Sequence, residues 1–596
     1  KGWGSREGVR AEVWVTSAEP LEWAPPADEA AGDCEDDAAF AARARRLGLS
    51  FVPAVDLAES AEPFSLAAIR DGTFAKSAAG GRMAYVAPPE SRMAEIQRWL
   101  AASPAARPWL RVASPRAIRA ALTKLWSARL LADAVGHLAG RHPRLSARRV
   151  ATAGQGLFWF VVAALMVVAA ARHPEALLVA VNLVGALFFF GISTLRFVAA
   201  GRIRHSAPLA EPSPSGMAPE DRLPVYTVLV PLYREAHLVD ELVASLDALD
   251  WPRRRLDIKL LVESVDPETV AAVTRAVRDR PAFEVLVVPQ GGPRTKPKAL
   301  SYALPLARGE YVTVYDAEDR PQPRQLREAH AIFAASSPDV ACVQASLAID
   351  NGARGWLPLM FTIEYAALFD GLLPLLAAAR MPLPLGGTSN HFRRVALEAV
   401  GGWDPFNVTE DADLGLRLAR FGYRAVTADL ATHEDAPVGF RAWFNQRTRW
   451  YKGWGQTWLV HTRSPFRLVR QLGVRGLAGF LLIGTGLIVT SLVYPVYIAT
   501  LAAAATNPAA LWGEGDLGAA AILGVNLFNL VAGYVAMAVL SARALRRRGR
   551  IAPVRSYLLL PLYWLLMSLA AYRAAFELLL RPHHWAKTPH ARHIGQ

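Results

Sequence analysis

Between Leu157 and Ala171 the chain reads LFWFVVAALMVVAAA without a charge, and after Arg172 and Glu175 a second apolar stretch runs from Leu177 to Leu195. With Ala153 to Gly156 added to the first, each reaches the roughly 20 residues that cross a bilayer as a helix, so 153–200 predicts a transmembrane hairpin. Neither reads as a signal peptide, because both begin more than 150 residues into the given chain. Leu477–Ala505 and Leu517–Leu540 predict two more spans within 476–541, and Leu558–Leu580 is a further apolar segment within 556–596. Arg144, Arg148 and Arg149 precede the hairpin, Arg202 and Arg204 follow it, and Arg543, Arg546, Arg547, Arg548 and Arg550 follow the fourth span, while 506–516 holds no Lys or Arg. By the positive-inside rule both large polar regions are cytoplasmic. A full crossing by 558–580 would put the basic tail RPHHWAKTPHARH outside, and that segment carries Arg573 and Glu577 four apart. An interfacial or re-entrant helix there, with four true spans, is the expectation; a fifth span with an outside tail is the alternative.

The polar regions have a different rhythm. Residues 1–150 read as a small α+β cytoplasmic domain, and 201–222 as a Pro/Ser linker that includes SAPLAEPSPSGMAPEDR. From 223 on, the β-rich runs YTVLVPLY, DIKLLVES, FEVLVVP, GEYVTVYDA and DVACVQASL alternate with helical segments such as VDELVASLDAL and PETVAAVTRAVRD. That alternation predicts a doubly wound α/β sheet with ligands at the carboxyl ends of its strands.

Composition narrows the classes. The chain of 596 residues is 53% hydrophobic and 20% charged, which excludes a disordered chain and a small secreted scaffold. Cys34 and Cys342 are the only cysteines and lie far apart, so neither a disulfide framework nor a cysteine metal site is expected. Most of the net charge of +14 is assigned to the cytoplasmic membrane flanks, and no nucleic-acid motif accompanies it.

Candidate chemistry gathers at strand ends. GEYVTVYDAED closes on Asp316, Glu318 and Asp319, DIKLLVES on Glu263 followed by Asp266, and TEDADLG presents Thr409, Glu410, Asp411 and Asp413 before a helical run. Hard carboxylate oxygens suit Mg²⁺ or Mn²⁺, which in turn can hold a diphosphate. Gln446-Arg447-Thr448-Arg449-Trp450 follows in a basic, aromatic segment before the third span.

In order and spacing, these motifs resemble the processive family 2 glycosyltransferases, membrane enzymes that include cellulose, hyaluronan and related β-glycan synthases. The resemblance is close over about 223–460 and looser over the flanking spans. It implies a GT-A-like catalytic domain inserted between transmembrane helices. Within LVPLYRE it puts Tyr233 and Glu235 near the base, and it puts Glu263 or Asp266 on uridine, where the family usually has aspartate at the position of Glu263. In RTKPKALSYAL it brings Lys298, or alternatively Lys296, to the sugar nucleotide. The family's acid-x-acid appears as Asp316-Ala317-Glu318, with both acids implied as metal ligands. Asp411 is implied as the base, supported by Glu410 and Thr409. Gln446, Arg449 and Trp450 are implied as the acceptor and diphosphate clamp, with Gly386 and Gly387 of GGTSNHFRR leaving room for a sugar. WAKTPH at 585–590 is similar to a loop that covers the nucleotide.

Residues 41–124 resemble, through the RLG at Arg46, Leu47 and Gly48, the amino-terminal domain of type II secretion ATPases, which implies cyclic diguanylate as a possible regulator. The combined expectation is an inverting, metal-dependent hexosyltransferase of a bacterial inner membrane. It would use a UDP-sugar, UDP-glucose foremost, to extend and translocate a β-linked polysaccharide, with membrane lipid and an envelope or outer-membrane export partner beside it. Single transfer to a polyprenyl-phosphate or other lipid acceptor, and an inactive envelope receptor or scaffold, are the alternatives.

Overall fold

The computed structural model describes residues 37–57, 63–77, 83–203, 219–506 and 517–583. Cys34, most of the 201–222 linker and WAKTPH at 585–590 lie outside the described residues. The chain forms two compact units, one of Lys1–His137, Ala218–Val243 and Trp251–Ala317, the other of Leu138–Met217, Ala244–Asp250 and Glu318–Gln596.

In the first unit, four parallel strands lie in the order Phe283–Val288, Leu256–Glu263, Tyr226–Leu232, Tyr311–Val314. Leu256–Glu263 is buried along its whole length, as a strand covered on both faces should be. Its two charges near the start survive there by pairing: Lys259 Nζ lies 3.1 Å from Asp257 and 2.6 Å from Glu284 on the neighbouring strand. Burial opposes the Asp257 charge, yet Lys259 and Arg308 hold the carboxyl far below the usual range. Register brings Leu232 beside Val262 and Leu229 beside Val314, so the loops after three strands open at one edge. The amino-terminal part has its own four-stranded sheet, ordered Ser50–Phe51, Leu110–Val112, Ala84–Val86, Phe74–Lys76. It packs on the parallel strands within the same unit, with Arg119 3.8 Å from Glu284 and Arg70 donating to the Pro305 carbonyl at 2.5 Å.

The second unit carries a mixed sheet ordered Asn390–Arg393, Val340–Ile349, Arg424–Glu434, Arg320–Pro321, with antiparallel, parallel and antiparallel pairings in turn. Here the expected parallel alternation gives way. Short strands such as Asn390–Arg393 follow turns rather than crossover helices, and only tertiary pairing makes them strands.

Six helices among the described residues are long and apolar enough to cross a membrane: Ala153–Arg172, Pro174–Arg202, Trp356–Ala378, Pro465–Ala503, Ala520–Arg547 and Val554–Leu580. The first opens on a capping box, Thr152 and Gln155 exchanging side-chain-to-backbone bonds at 3.1 and 3.2 Å, and the second on Pro174 at its first position. Trp356–Ala378 has the length of a span, but 61% of its apolar window is buried in protein. The strands on either side of it, Val340–Ile349 and Asn390–Arg393, pair with each other, so the helix leaves and returns to one sheet and makes no single crossing.

Contacts at the membrane flanks close the hairpin in the same way. Arg463 donates to the carbonyls of Pro143, Arg144, Ser146 and Val150 at 3.1–3.3 Å, and Asp404 accepts from Ala147 N–H at 2.5 Å. The residues before the first helix therefore meet the catalytic region that follows the second. After Ala520–Arg547, Arg548 binds Asp370 at 2.6 Å, Arg547 binds Asp429 at 2.9 Å and Arg550 binds Asp350 at 2.7 Å.

Candidate active site

Within the first unit the expected nucleotide residues cluster where the parallel strands end. Asp266 caps the helix Pro267–Ala276 by accepting from Thr269 N–H at 3.3 Å, and it also accepts from Arg234 N–H at 2.5 Å. Thr269 Oγ1 accepts from Glu235 N–H at 3.2 Å, and the Glu235 carboxylate accepts from Tyr233 N–H at 3.3 Å. The loop 233–235 is thus pinned by the next helix, which lets Arg234 hold a positive φ of 54°. Glu263, buried at its strand end, is pushed up by burial although Lys298 Nζ stands 2.8 Å away. Lys298 is itself fully buried. Lys296, more open, forms its ion pair with Asp316. Of the two lysines, the structure places Lys296 at the acid-x-acid and Lys298 beneath Glu263.

The chain passes from Asp316 to Glu318 across the boundary of the two units. In the second unit Asp319 is buried and accepts from the Thr388 hydroxyl, which ties its loop to the segment before the strand Asn390–Arg393. Gly386 donates to Gln344 at 2.8 Å; a Cβ there would stand 3.0 Å from Phe369 Cζ and 3.3 Å from Leu347, so any larger residue would require those side chains to give way.

Thr409, Glu410 and Asp411 begin the helix Glu410–Arg420. Thr409 and Glu410 are buried and Asp411 is partly exposed, so of the two acids and the hydroxyl it is Asp411 that reaches solvent at a helix amino end, where the peptide dipoles favour a negative charge. Gln446, Arg449 and Trp450 lie on the helix Phe440–Thr462 at spacings of three and four, hence on one face, and Gly453 continues the stripe. The buried Oε1 of Gln446 has no hydrogen-bond partner among the described residues. Trp450 stacks on Tyr365 with centroids 6.5 Å apart and 29° between planes.

Sequence reading missed what holds that ring. Arg447, between the motif residues, is buried and makes two 2.7 Å bonds to both oxygens of Glu364, with Tyr563 Oη 3.0 Å from it. Its guanidinium lies 4.1 Å from the Phe361 ring centroid and 4.5 Å from that of Trp450. Burial works against its charge, but Glu364 raises the Arg447 pKa above its ordinary value. An acid in an otherwise apolar helix, Glu364 in WLPLMFTIEYAA, was the available signal.

No group of three His, Cys, Asp or Glu among the described residues is poised around a metal. Asp316, in the first unit, nevertheless offers the oxygen donors that a hard divalent ion takes, and such ions bound with a diphosphate ordinarily need only one or two carboxylates besides the phosphates and water.

This arrangement defines a class. Residues 224–453 match the family described as "Glycosyltransferase like family 2", and they constitute a family 2 glycosyltransferase domain with a GT-A-like fold, a hexosyltransferase module. Among its relatives, the chain is 24% identical over 300 residues to the probable glycosyltransferase YdaM of Bacillus subtilis (strain 168), covering 48% of this chain and 70% of that protein. It is 27% identical over 248 residues to the probable glucomannan 4-beta-mannosyltransferase 1 of Arabidopsis thaliana, covering 39% of this chain and 43% of that one, so it spans less than half of this plant relative. A solved mannosyltransferase, PcManGT from Pyrobaculum calidifontis in complex with GDP-Man and Mn²⁺, aligns with a TM-score of 0.45 and 24% identity over 67% of this chain and 99% of that one.

Proposed function

We propose that the protein is a membrane-embedded inverting hexosyltransferase that moves a sugar from a nucleoside diphosphate onto a growing β-linked glycan. The observation that carries this reading is the single stripe on Phe440–Thr462: an orphaned buried amide oxygen at Gln446, a stacked ring at Trp450, and the loop of Asp411 packed against Gly453 one turn on. In the reaction, Asp411 accepts the proton of the acceptor hydroxyl as its oxygen bonds to the anomeric carbon. The bond from that carbon to the diphosphate oxygen breaks, and its electron pair leaves with the diphosphate. Trp450 offers a flat face to the acceptor ring, Gln446 Oε1 accepts from one of its hydroxyls, and Arg449 supplies positive charge to the leaving group. Asp316 and Glu318 would hold Mg²⁺ or Mn²⁺, which when bound neutralises the departing diphosphate. Lys296, already at Asp316, is the lysine assigned to that region, and Tyr233, Glu235 and Asp266 frame the base.

The basic residues around 144–149 and 543–550 support a cytoplasmic catalytic face. The last helix is read as interfacial or re-entrant rather than crossing, since Tyr563 near its beginning donates to Glu364, the partner of Arg447, at 2.8 Å and the residues just past its end meet the same helix Phe440–Thr462 and the segment packed on it. There Pro582 accepts from Gln456 at 2.9 Å, and His583 donates to the Phe406 carbonyl at 3.2 Å. UDP-glucose is the donor implied by the cellulose-synthase-like motifs; the glucomannan mannosyltransferase relatives favour a second reading, a mannosyl donor.

The test is nucleotide release and product size from the full-length protein in detergent, with UDP-glucose and GDP-mannose and with Mn²⁺ or Mg²⁺, beside Asp411→Asn. Metal-dependent release with a long product, lost in the variant, is expected. A short lipid-linked product would move the reading to single transfer, and equal activity in Asp411→Asn would overturn it. Adding cyclic diguanylate to the same assay examines the regulatory part of the reading.

A further inference from the structure

The helix Phe440–Thr462 does not stop contributing at Trp450. Gly453, Gln456, Thr457 and His461 follow at helical spacings along one side of it, all four buried, and each meets the segment that presents Asp411. A Cβ on Gly453 would lie 2.5 Å from Thr409 Cγ2 and 2.7 Å from Thr409 Cβ, so only glycine lets Thr409 sit where it does. Gln456 accepts from Val408 N–H at 3.0 Å through Oε1 and donates to the Pro582 carbonyl at 2.9 Å through Nε2, which uses both ends of its amide. Thr457 Oγ1 accepts from Asn407 Nδ2 at 2.9 Å, and the amide oxygen of Asn407 then accepts from Thr409 N–H at 3.0 Å. His461 Nδ1 lies 2.9 Å from Arg420, which can only donate, so Nε2 carries the hydrogen and donates to Asp413 at 2.9 Å. Asp413 is held on its other side by Arg417 at 2.8 Å.

We propose that Gly453, Gln456, Thr457 and His461 are positioning residues that fix where Asp411 stands relative to Arg449 and Trp450. None of the four reaches the reacting atoms in this reading. They make one rigid helix carry both the clamp for the acceptor and the seat for the base. The distance between proton acceptor and sugar platform is then set inside a single element rather than by two that could shift apart. The proposal rests on the reading of Asp411 as the base.

The experiment uses the full-length protein with the donor found active, comparing Gly453→Ala, Thr409→Gly and their combination, together with Thr457→Val and Thr457→Ser. A displacement near 1 Å of a catalytic group costs on the order of 10²-fold, so Gly453→Ala is expected to lower kcat by roughly that factor while donor KM stays within about twofold. In the Thr409→Gly background, where the blocking side chain is gone, the same substitution is expected to cost less than about threefold. Thr457→Val, which removes the acceptor for Asn407, is expected to lower kcat about tenfold, and Thr457→Ser to restore it to within about twofold. The Thr457 pair decides the matter if Gly453→Ala does not fold. Near-normal kcat in Gly453→Ala, an equal penalty in both backgrounds, or equal kcat in Thr457→Val and Thr457→Ser would overturn the proposal. An active Asp411→Asn would instead overturn the reading beneath it.

Discussion

Replacing Glu364 by glutamine tests how Trp450 is supported. The substitution keeps the shape of the side chain and removes its charge, leaving the guanidinium of Arg447, whose side chain is 2% exposed, without a counter-ion. Arg447 cannot respond by losing its proton, and of its two 2.7 Å bonds to Glu364 one is lost and the other becomes a bond to a neutral carbonyl. Breaking a buried pair from one side costs about 3–5 kcal/mol; because the Glu364 side chain is 25% exposed and water can enter there, the lower end, about 3 kcal/mol, applies. At roughly 2–4 °C per kcal/mol for a unit of a few hundred residues, the midpoint of thermal unfolding should fall by roughly 6–12 °C. Arg447→Met removes the charge that cannot be neutralised and leaves a carboxyl that can take a proton or meet water, so its loss should be smaller, about 1–2 kcal/mol. The double variant should resemble Arg447→Met rather than the sum of the two. The assay is thermal unfolding of the detergent-solubilised protein followed by intrinsic tryptophan fluorescence. A Glu364→Gln midpoint within about 1 °C of the parent, or a greater loss in Arg447→Met than in Glu364→Gln, would refute the reasoning.

Acid should weaken the sheet through His391, whose imidazole burial lowers to about 3. The unfolded chain takes up that proton near pH 6.5, so between about 6.5 and 3 it binds more protons than the folded chain and stability falls as pH falls, by up to about 1.4 kcal/mol per pH unit. His391→Gln should therefore lose less stability than the parent between pH 7.5 and pH 5, as unfolding midpoints at both values will report; equal losses would exclude His391 as the cause. Lys296 neutralises Asp316 before any ion arrives, so Lys296→Met should bind Mn²⁺ more tightly without nucleotide, and Asp316→Asn more weakly, as read by titration calorimetry. Unchanged affinity in Lys296→Met would mean that the ammonium does not compete with the ion.

The parallel strands of the first unit could be read from the chain because Leu256–Glu263 and its neighbours are nearly continuous apolar runs bounded by helical segments. Asn390–Arg393 and Arg320–Pro321 could not, since their extended form depends on partners far along the chain rather than on local pattern. The same contrast holds at the site. Asp316, Asp411 and Trp450 stand out as motifs. The residues that hold the last two in place, Gly453 and Gln456 beside the segment of Asp411 and Glu364 behind the Arg447 under Trp450, look ordinary until the fold brings their partners near. Trp356–Ala378 shows the limit of hydropathy in the other direction: its apolar face serves a protein interior that the later helices largely supply.

That last helix bears on how the sidedness of this chain is to be mapped. A reporter fused after a truncation near residue 380 would be made without the strand Asn390–Arg393 and without Met537, Leu540 and Tyr563, against which Leu357, Met360 and Phe361 pack. The insertion machinery would then meet a 23-residue apolar segment that has lost most of its partners, and would be free to pass it through the bilayer. Such a fusion would report an inverted carboxyl half, while a tag inserted at the same place in the intact chain would not. Disagreement between the two methods at this position is a property of the truncated chain.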